Sequence, residues 1–224
     1  MNEPVSDSTP RRSSRRNPSS SRNQRPTRHE VLAAFRRKEL LLAARQVFAE
    51  CGFERATMDR VAERAHVAKG TVYLYYASKR ELYLAALTQG LTELHDLVRS
   101  RLDPASSCFE NLRAFIETKM TFFDTERDFF RIYLELGLPP GYVPTADPAL
   151  RRLYRAQQRI LRDLLARAVA RREIRELPLD RLAEAVAHLT RDAVARRLDG
   201  RIHASVSDDA RFVIDLLWRG IASE

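Results

Sequence analysis

Between Ala34 and Glu50 the apolar residues Leu40, Ala44, Val47 and Phe48 recur at spacings of four, three and one, which places them on one face of a helix. Gly52, just past Cys51, predicts a left-handed stop, and Phe53 then returns to the core. Thr57 reads as the N-cap of a second helix with Asp59 in its first turn, where the helix dipole favours a carboxylate. Met58, Val61, Ala62 and Ala65 form that helix's buried stripe. The stretch Ala65-His66-Val67-Ala68 is a turn with one apolar plug, and the helix after it, Lys69 to Tyr76, buries Val72 and Tyr76 one turn apart. Ser78, with Glu81 three residues on, predicts a capping box opening a long helix that carries Leu82, Leu84, Ala85, Leu87, Leu91, Leu94 and Val98.

Beyond Pro104 the same periodicity predicts helices over Ser107 to Asp124 and Glu126 to Leu136. A Pro/Gly loop over 137–144 interrupts them, and further helices follow from Pro148 to about Arg172, from Leu179, and, after Gly200, from Asp208 to Ile221. Only 7 glycines in 224 residues, with Ala, Leu, Arg and Glu dominant, favour an all-α protein over sheets. Three parts follow: a basic tail over 1–33 too poor in apolar residues to order, a three-helix unit over 34–80, and a helical bundle over 81–224.

Charge sharpens this division. Residues 1–30 carry seven Arg against three acidic residues, and residues 31–83 carry ten Lys or Arg against six, whereas the rest is nearly balanced. Almost all of the net +9 thus sits in the first third, the footprint of a polyanion-binding module on a neutral body. The tail has no apolar residue over 6–30 to insert into a bilayer, so nucleic acid is the better partner. The tail is either solubilising or an arm that adds phosphate or minor-groove contacts through Arg11 to Arg28.

Two short helices joined by a turn of about four residues, with small Ala62 and Ala65 at the crossing, fit a helix-turn-helix. Opposite Val72 and Tyr76 the second helix presents Lys69, Thr71, Tyr73 and Tyr75, with Lys79 just after and Gly70 leaving room for close backbone approach. These side chains are donors to phosphates and base edges. The runs Thr57-Met-Asp-Arg-Val-Ala62, Val67-Ala-Lys-Gly-Thr-Val-Tyr-Leu-Tyr-Tyr76 and Ser78-Lys-Arg-Glu-Leu82 resemble the DNA-binding domain of the TetR family of bacterial transcription regulators over about residues 36–87. By that resemblance Lys69, Gly70, Thr71, Tyr73, Tyr75 and Lys79 fall on DNA-contact positions, and Thr57 on an N-cap presented to a phosphate. His66 stands where the family usually has glycine, and Ala68 replaces a common serine cap.

The resemblance implies a homodimer, usually a repressor, that binds a palindromic operator in double-stranded DNA and is released by a small-molecule effector in the bundle. A small apolar or aromatic effector is expected among Phe115, Phe122, Phe123, Phe130, Tyr133 and Tyr154, with Lys119 and Gln158 to orient it. The last two helices are expected to pair with their twins through Leu182, Val186, Leu189, Ala193, Phe212, Leu216 and Trp218, although Trp218 also suits intrachain core. An alternative is a DNA-dependent adaptor controlled by a protein partner. His188, four residues from both Glu184 and Asp192, has metal-like spacing but reads as part of a solvated charged face. No nucleophile set, phosphate loop or metal cluster is present, so neither an enzyme nor a cofactor is expected. Cys51 and Cys108 fit no disulfide framework, and with no signal peptide or apolar span a cytoplasmic protein is expected.

Overall fold

The computed structural model describes residues 27–135, 147–198 and 204–222, and within them the architecture is all-α. The helices are α1 (Arg28–Arg55), α2 (Met58–Arg64), α3 (Lys69–Tyr75), α4 (Lys79–Arg101), α5 (Cys108–Thr125), α6 (Arg127–Glu135), α7 (Pro148–Ala170), α8 (Leu179–Leu198) and α9 (Val206–Ile221). The tail over 1–26, the 137–144 loop and Gly200 lie outside the described residues.

The first helix begins six residues before the predicted Ala34, which corrects the inner boundary of the expected disordered tail. Thr27 forms a capping box: the Glu30 carboxylate accepts from the Thr27 amide at 2.7 Å, while the Glu30 amide donates to Thr27 Oγ1. Gly52, with φ 72°, breaks the helix at the predicted stop. At α4 the Ser78 hydroxyl accepts from the Glu81 amide at 3.2 Å, but the Glu81 carboxylate reaches the Ala77 amide rather than closing the predicted box on Ser78.

α2 packs onto α1, and α3 onto α2, to make the N-terminal unit. In the bundle α5 is the hub, packed against α4, α7, α8 and α9, and α7 lies against α4 and α8. The two parts share one continuous core through a stack of α1, α4 and α6. Arg45 of α1 is 5% exposed and bonds the Glu93 carboxylate on α4 at 3.0 Å and that of Glu126, just before α6, at 3.4 Å. Its guanidinium lies 5.2 Å from the Phe129 ring centroid. Phe129 in turn presses on α4 where Gly90 has no side chain: an added Cβ would lie 2.3 Å from Phe129 Cε2. The Tyr83 hydroxyl donates to the Ile132 carbonyl at 3.2 Å, a second tie between α4 and α6. The orientation of the N-terminal unit is therefore set by how α4 and α6 seat against α1.

Candidate DNA interface and body cavity

α3 is held from behind and left bare in front. Val72 is fully buried and Tyr76 is 8% exposed, which fixes the helix on the core as its spacing predicts. Its front carries Lys69, Gly70 and Tyr73, all exposed, with Thr71 half-buried beside them. Space at Gly70 is open, since an added Cβ would meet nothing within 4 Å. Leu74, which the sequence reasoning passed over, is 82% exposed, the largest value among the described large apolar side chains. Its position beside Tyr73 and opposite the buried Val72 was a usable signal, masked by the aromatic run around it.

The other candidates sit differently. Thr57 is the N-cap of α2, its Oγ1 accepting from the Arg60 amide at 3.2 Å. The Lys69 ammonium pairs with the Asp59 carboxylate at 2.9 Å, and that hydrogen bond and charge hold its pKa above the usual lysine value. Tyr75 is half-buried, with the Arg37 guanidinium 5.8 Å from its ring centroid. Lys79 folds back, donating to the Glu54 carbonyl at 3.0 Å with its ammonium 4.5 Å from the Phe53 ring centroid. Lys69, Thr71, Tyr73 and Leu74 thus form the outward edge, with Tyr75 and Lys79 tied to α1 at its margin.

The turn is built as the sequence implies. His66 takes φ 53°, the left-handed conformation that glycine adopts freely and histidine only with strain. Its amide donates to the Glu63 carbonyl and that of Val67 to the Ala62 carbonyl, so the ends of α2 are satisfied despite the strain. Ala68 gives α3 no side-chain cap.

In the bundle a cavity of about 40 Å³ lies between α5, α7 and α8. Six of the expected effector residues line it: Phe115, Lys119, Phe123, Tyr133, Tyr154 and Gln158. Phe122 and Phe130 do not. Phe130 is fully buried with its ring 4.6 Å from that of Phe123, and Phe122 packs edge-on to Phe123 and Phe129, so both support the wall from behind. Burial and the neighbouring Arg191 push the Lys119 ammonium down to about 8, and burial pushes the Tyr133 hydroxyl up to about 12. His188 corrects the expectation of a solvated face, because it lines this cavity with Nε2 buried and without a hydrogen-bond partner. Burial first, and then Arg191, lowers its pKa. Its neighbour Asp192 instead pairs with Arg196 on the outside of α8.

The expected dimer residues divide as well. Leu189, Phe212 and Leu216 are exposed, by 37%, 69% and 55%, while Leu182 and Ala193 are half-buried. Val186 is fully buried within the chain, where α8 packs on the α5 hub, and is corrected to core. Trp218 is half-buried, its ring 5.2 Å from that of Phe109.

Comparison with known proteins agrees with this architecture. Residues 40–86 match the family described as bacterial regulatory proteins, tetR family. A transcriptional activator, FasR of Mycolicibacterium smegmatis, is 37% identical over 100 residues, 45% of this chain and 46% of that protein, so the chain spans about half the length of that relative. A transcriptional repressor, AcnR of Corynebacterium diphtheriae, is 26% identical over 199 residues, 85% of this chain and 93% of that protein. The fold is similar to that of the regulator FadR of Bacillus subtilis in complex with stearoyl-CoA, with a TM-score of 0.70 at 19% identity over 82% of this chain and 98% of that one. No described helix is long and apolar enough to cross a membrane. With the helix-turn-helix built and its outward edge bare, residues 40–86 are similar in sequence and arrangement to the helix-turn-helix domain of bacterial regulatory proteins of the tetR family.

Proposed function

We propose that the protein is a cytoplasmic homodimeric repressor whose reader, residues 34–80, binds a palindromic operator and whose body, residues 81–224, releases it on binding a small effector. The observation that carries this reading is the outward edge of α3, where Lys69, Tyr73 and Leu74 lie exposed on a helix whose opposite side is locked into the core. Leu189, Phe212 and Leu216 supply an apolar stripe on the last two helices, suited to an isologous interface with a second copy. Two reader helices related by that axis would enter major grooves ~34–36 Å apart. The α1, α4 and α6 stack gives the body its lever on that spacing, since a ligand that favours one seating of the helices shifts the population of dimer geometries. The cavity favours a small ligand over the protein-partner alternative.

Selection of bound genomic fragments tests this reading. A shared palindrome with half-site centres about 10 base pairs apart is expected. A shared asymmetric site, or no shared site, would refute the paired-reader arrangement.

Leu74 extends the set of contacts. An exposed leucine on a groove-entering helix suits the C5-methyl of thymine, the one apolar group on a base edge. Leu74→Ala is expected to weaken operator binding about fivefold, equivalent to about 1 kcal/mol. Replacing one operator thymine by deoxyuridine should produce the same loss in the parent and none in the variant. A parent indifferent to every thymine replacement removes Leu74 from the readout.

A further inference from the structure

We infer that the body cavity is an anion-binding pocket and that the ligand filling it is a small organic carboxylate held at Lys119. This rests on reading the body as effector-binding and narrows the ligand class. It also departs from the purely apolar effector that the phenylalanine content alone suggests.

The wall combines three groups able to carry positive charge with no acid. Lys119 comes from α5 and His188 and Arg191 from α8, and neither Asp nor Glu is among the lining residues. The Lys119 ammonium lies 5.2 Å from the Phe115 ring centroid and has no described carboxylate within ion-pairing distance. Lys119 is half-buried, and keeping an ammonium charged there without a counter-charge is costly; partial loss of solvation and the nearby Arg191 lower its pKa to about 8. His188 Nε2 is likewise buried with no partner. Arg191 has interactions of its own and adds positive potential. An uncharged ligand would leave this arrangement uncompensated, whereas a carboxylate supplies the missing charge and acceptors for both groups.

Size and surroundings fit the same ligand. A cavity of about 40 Å³ holds roughly three waters, the space of a carboxylate and its first carbons. Phe115, Phe123 and Tyr133 give the carbon skeleton an aromatic floor. Tyr154 and Gln158 line both this cavity and an outer groove of about 550 Å³ in which Arg151, Arg155, Arg159 and Arg162 of α7 outnumber Asp180 and Glu184 of α8. Such a groove concentrates anions at the entrance.

The test is thermal unfolding of the full chain with acetate, succinate, benzoate and phenylacetate, each paired with its amide, and with inorganic phosphate. At least one carboxylate is expected to raise Tm in a concentration-dependent way while its amide does not. Lys119→Met and Lys119→Gln should weaken that response at least tenfold, and Lys119→Arg should retain part of it. An amide as effective as its acid, a response that survives both neutral substitutions, or no response to any anion overturns the inference. A response to phosphate alone overturns the carboxylate and assigns the pocket to phosphate. Stabilisation by an uncharged ligand would leave the effector reading standing while this inference fails. Failure of the parent to bind DNA would sink that reading without altering the unfolding result.

Discussion

Gly90→Ala is expected to destabilise the protein by about 2 kcal/mol and to lower Tm by about 4–8 °C, although alanine is the better helix former. The Cβ would arrive 2.3 to 2.6 Å from three ring carbons of Phe129. That ring cannot swing aside. It is fully buried, boxed by Phe122, Phe123 and Tyr133 at centroid distances of about 6 Å, with the Arg45 guanidinium on another side. Separation of α4 from α6 is then the cheapest relief, and it strains the Arg45 bonds to Glu93 and Glu126 that seat both on α1. Gly220 provides the control: an added Cβ there meets nothing within 4 Å, so Gly220→Ala should be neutral or stabilising by up to about 1 kcal/mol. Denaturant unfolding of the two variants side by side decides the matter, and equal stability would mean that α4 and α6 are not packed as described. Because the same stack carries the reader, Gly90→Ala should also weaken operator binding at temperatures where the variant remains folded.

The reader was largely legible in the sequence because its signals are local. Thr57 and Ser78 cap their helices within one turn, Gly52 breaks α1 at its own position, and the spacing of Val72 and Tyr76 fixes which side of α3 is buried. His66 stands where the resemblance puts a glycine that tolerates positive φ, and its φ of 53° agrees with that comparison rather than with any signal of its own. What escaped depends on distant partners. The three groups of the Arg45 network are spread over 81 residues of chain. Lys79 looked free to meet DNA, yet its partner is Glu54, 25 residues earlier. His188 resembled part of a charged face because Glu184 and Asp192 flank it, but the packing of α8 on α5 and α7 turns the ring inward. Val186 was misplaced for the same reason: a stripe of apolar residues on a helix does not say which neighbour covers it. The early start of α1 was hidden because Arg28 and His29 resemble the tail, while the Thr27 and Glu30 capping box needs only two residues.

The central claim is that α3 reads DNA, and the double variant Lys69→Ala, Tyr73→Ala addresses it most directly. Lys69 spends the free state paired with Asp59 at 57% side-chain exposure, so a phosphate or a guanine edge can exchange for that carboxylate without unpacking the helix. Tyr73 stands 46% exposed on the same helix, and a Cβ added at Gly70 would meet nothing within 4 Å, so the backbone there is open to close approach. Neither side chain belongs to the core, so the double variant should unfold close to the parent temperature. The measurement is affinity for a selected operator over a series of salt concentrations. About a hundredfold loss, equivalent to roughly 3 kcal/mol, with a salt slope reduced by about one, is the predicted result. A folded double variant that binds the operator within twofold of the parent, at an unchanged salt slope, would contradict the assignment of α3 as the reader.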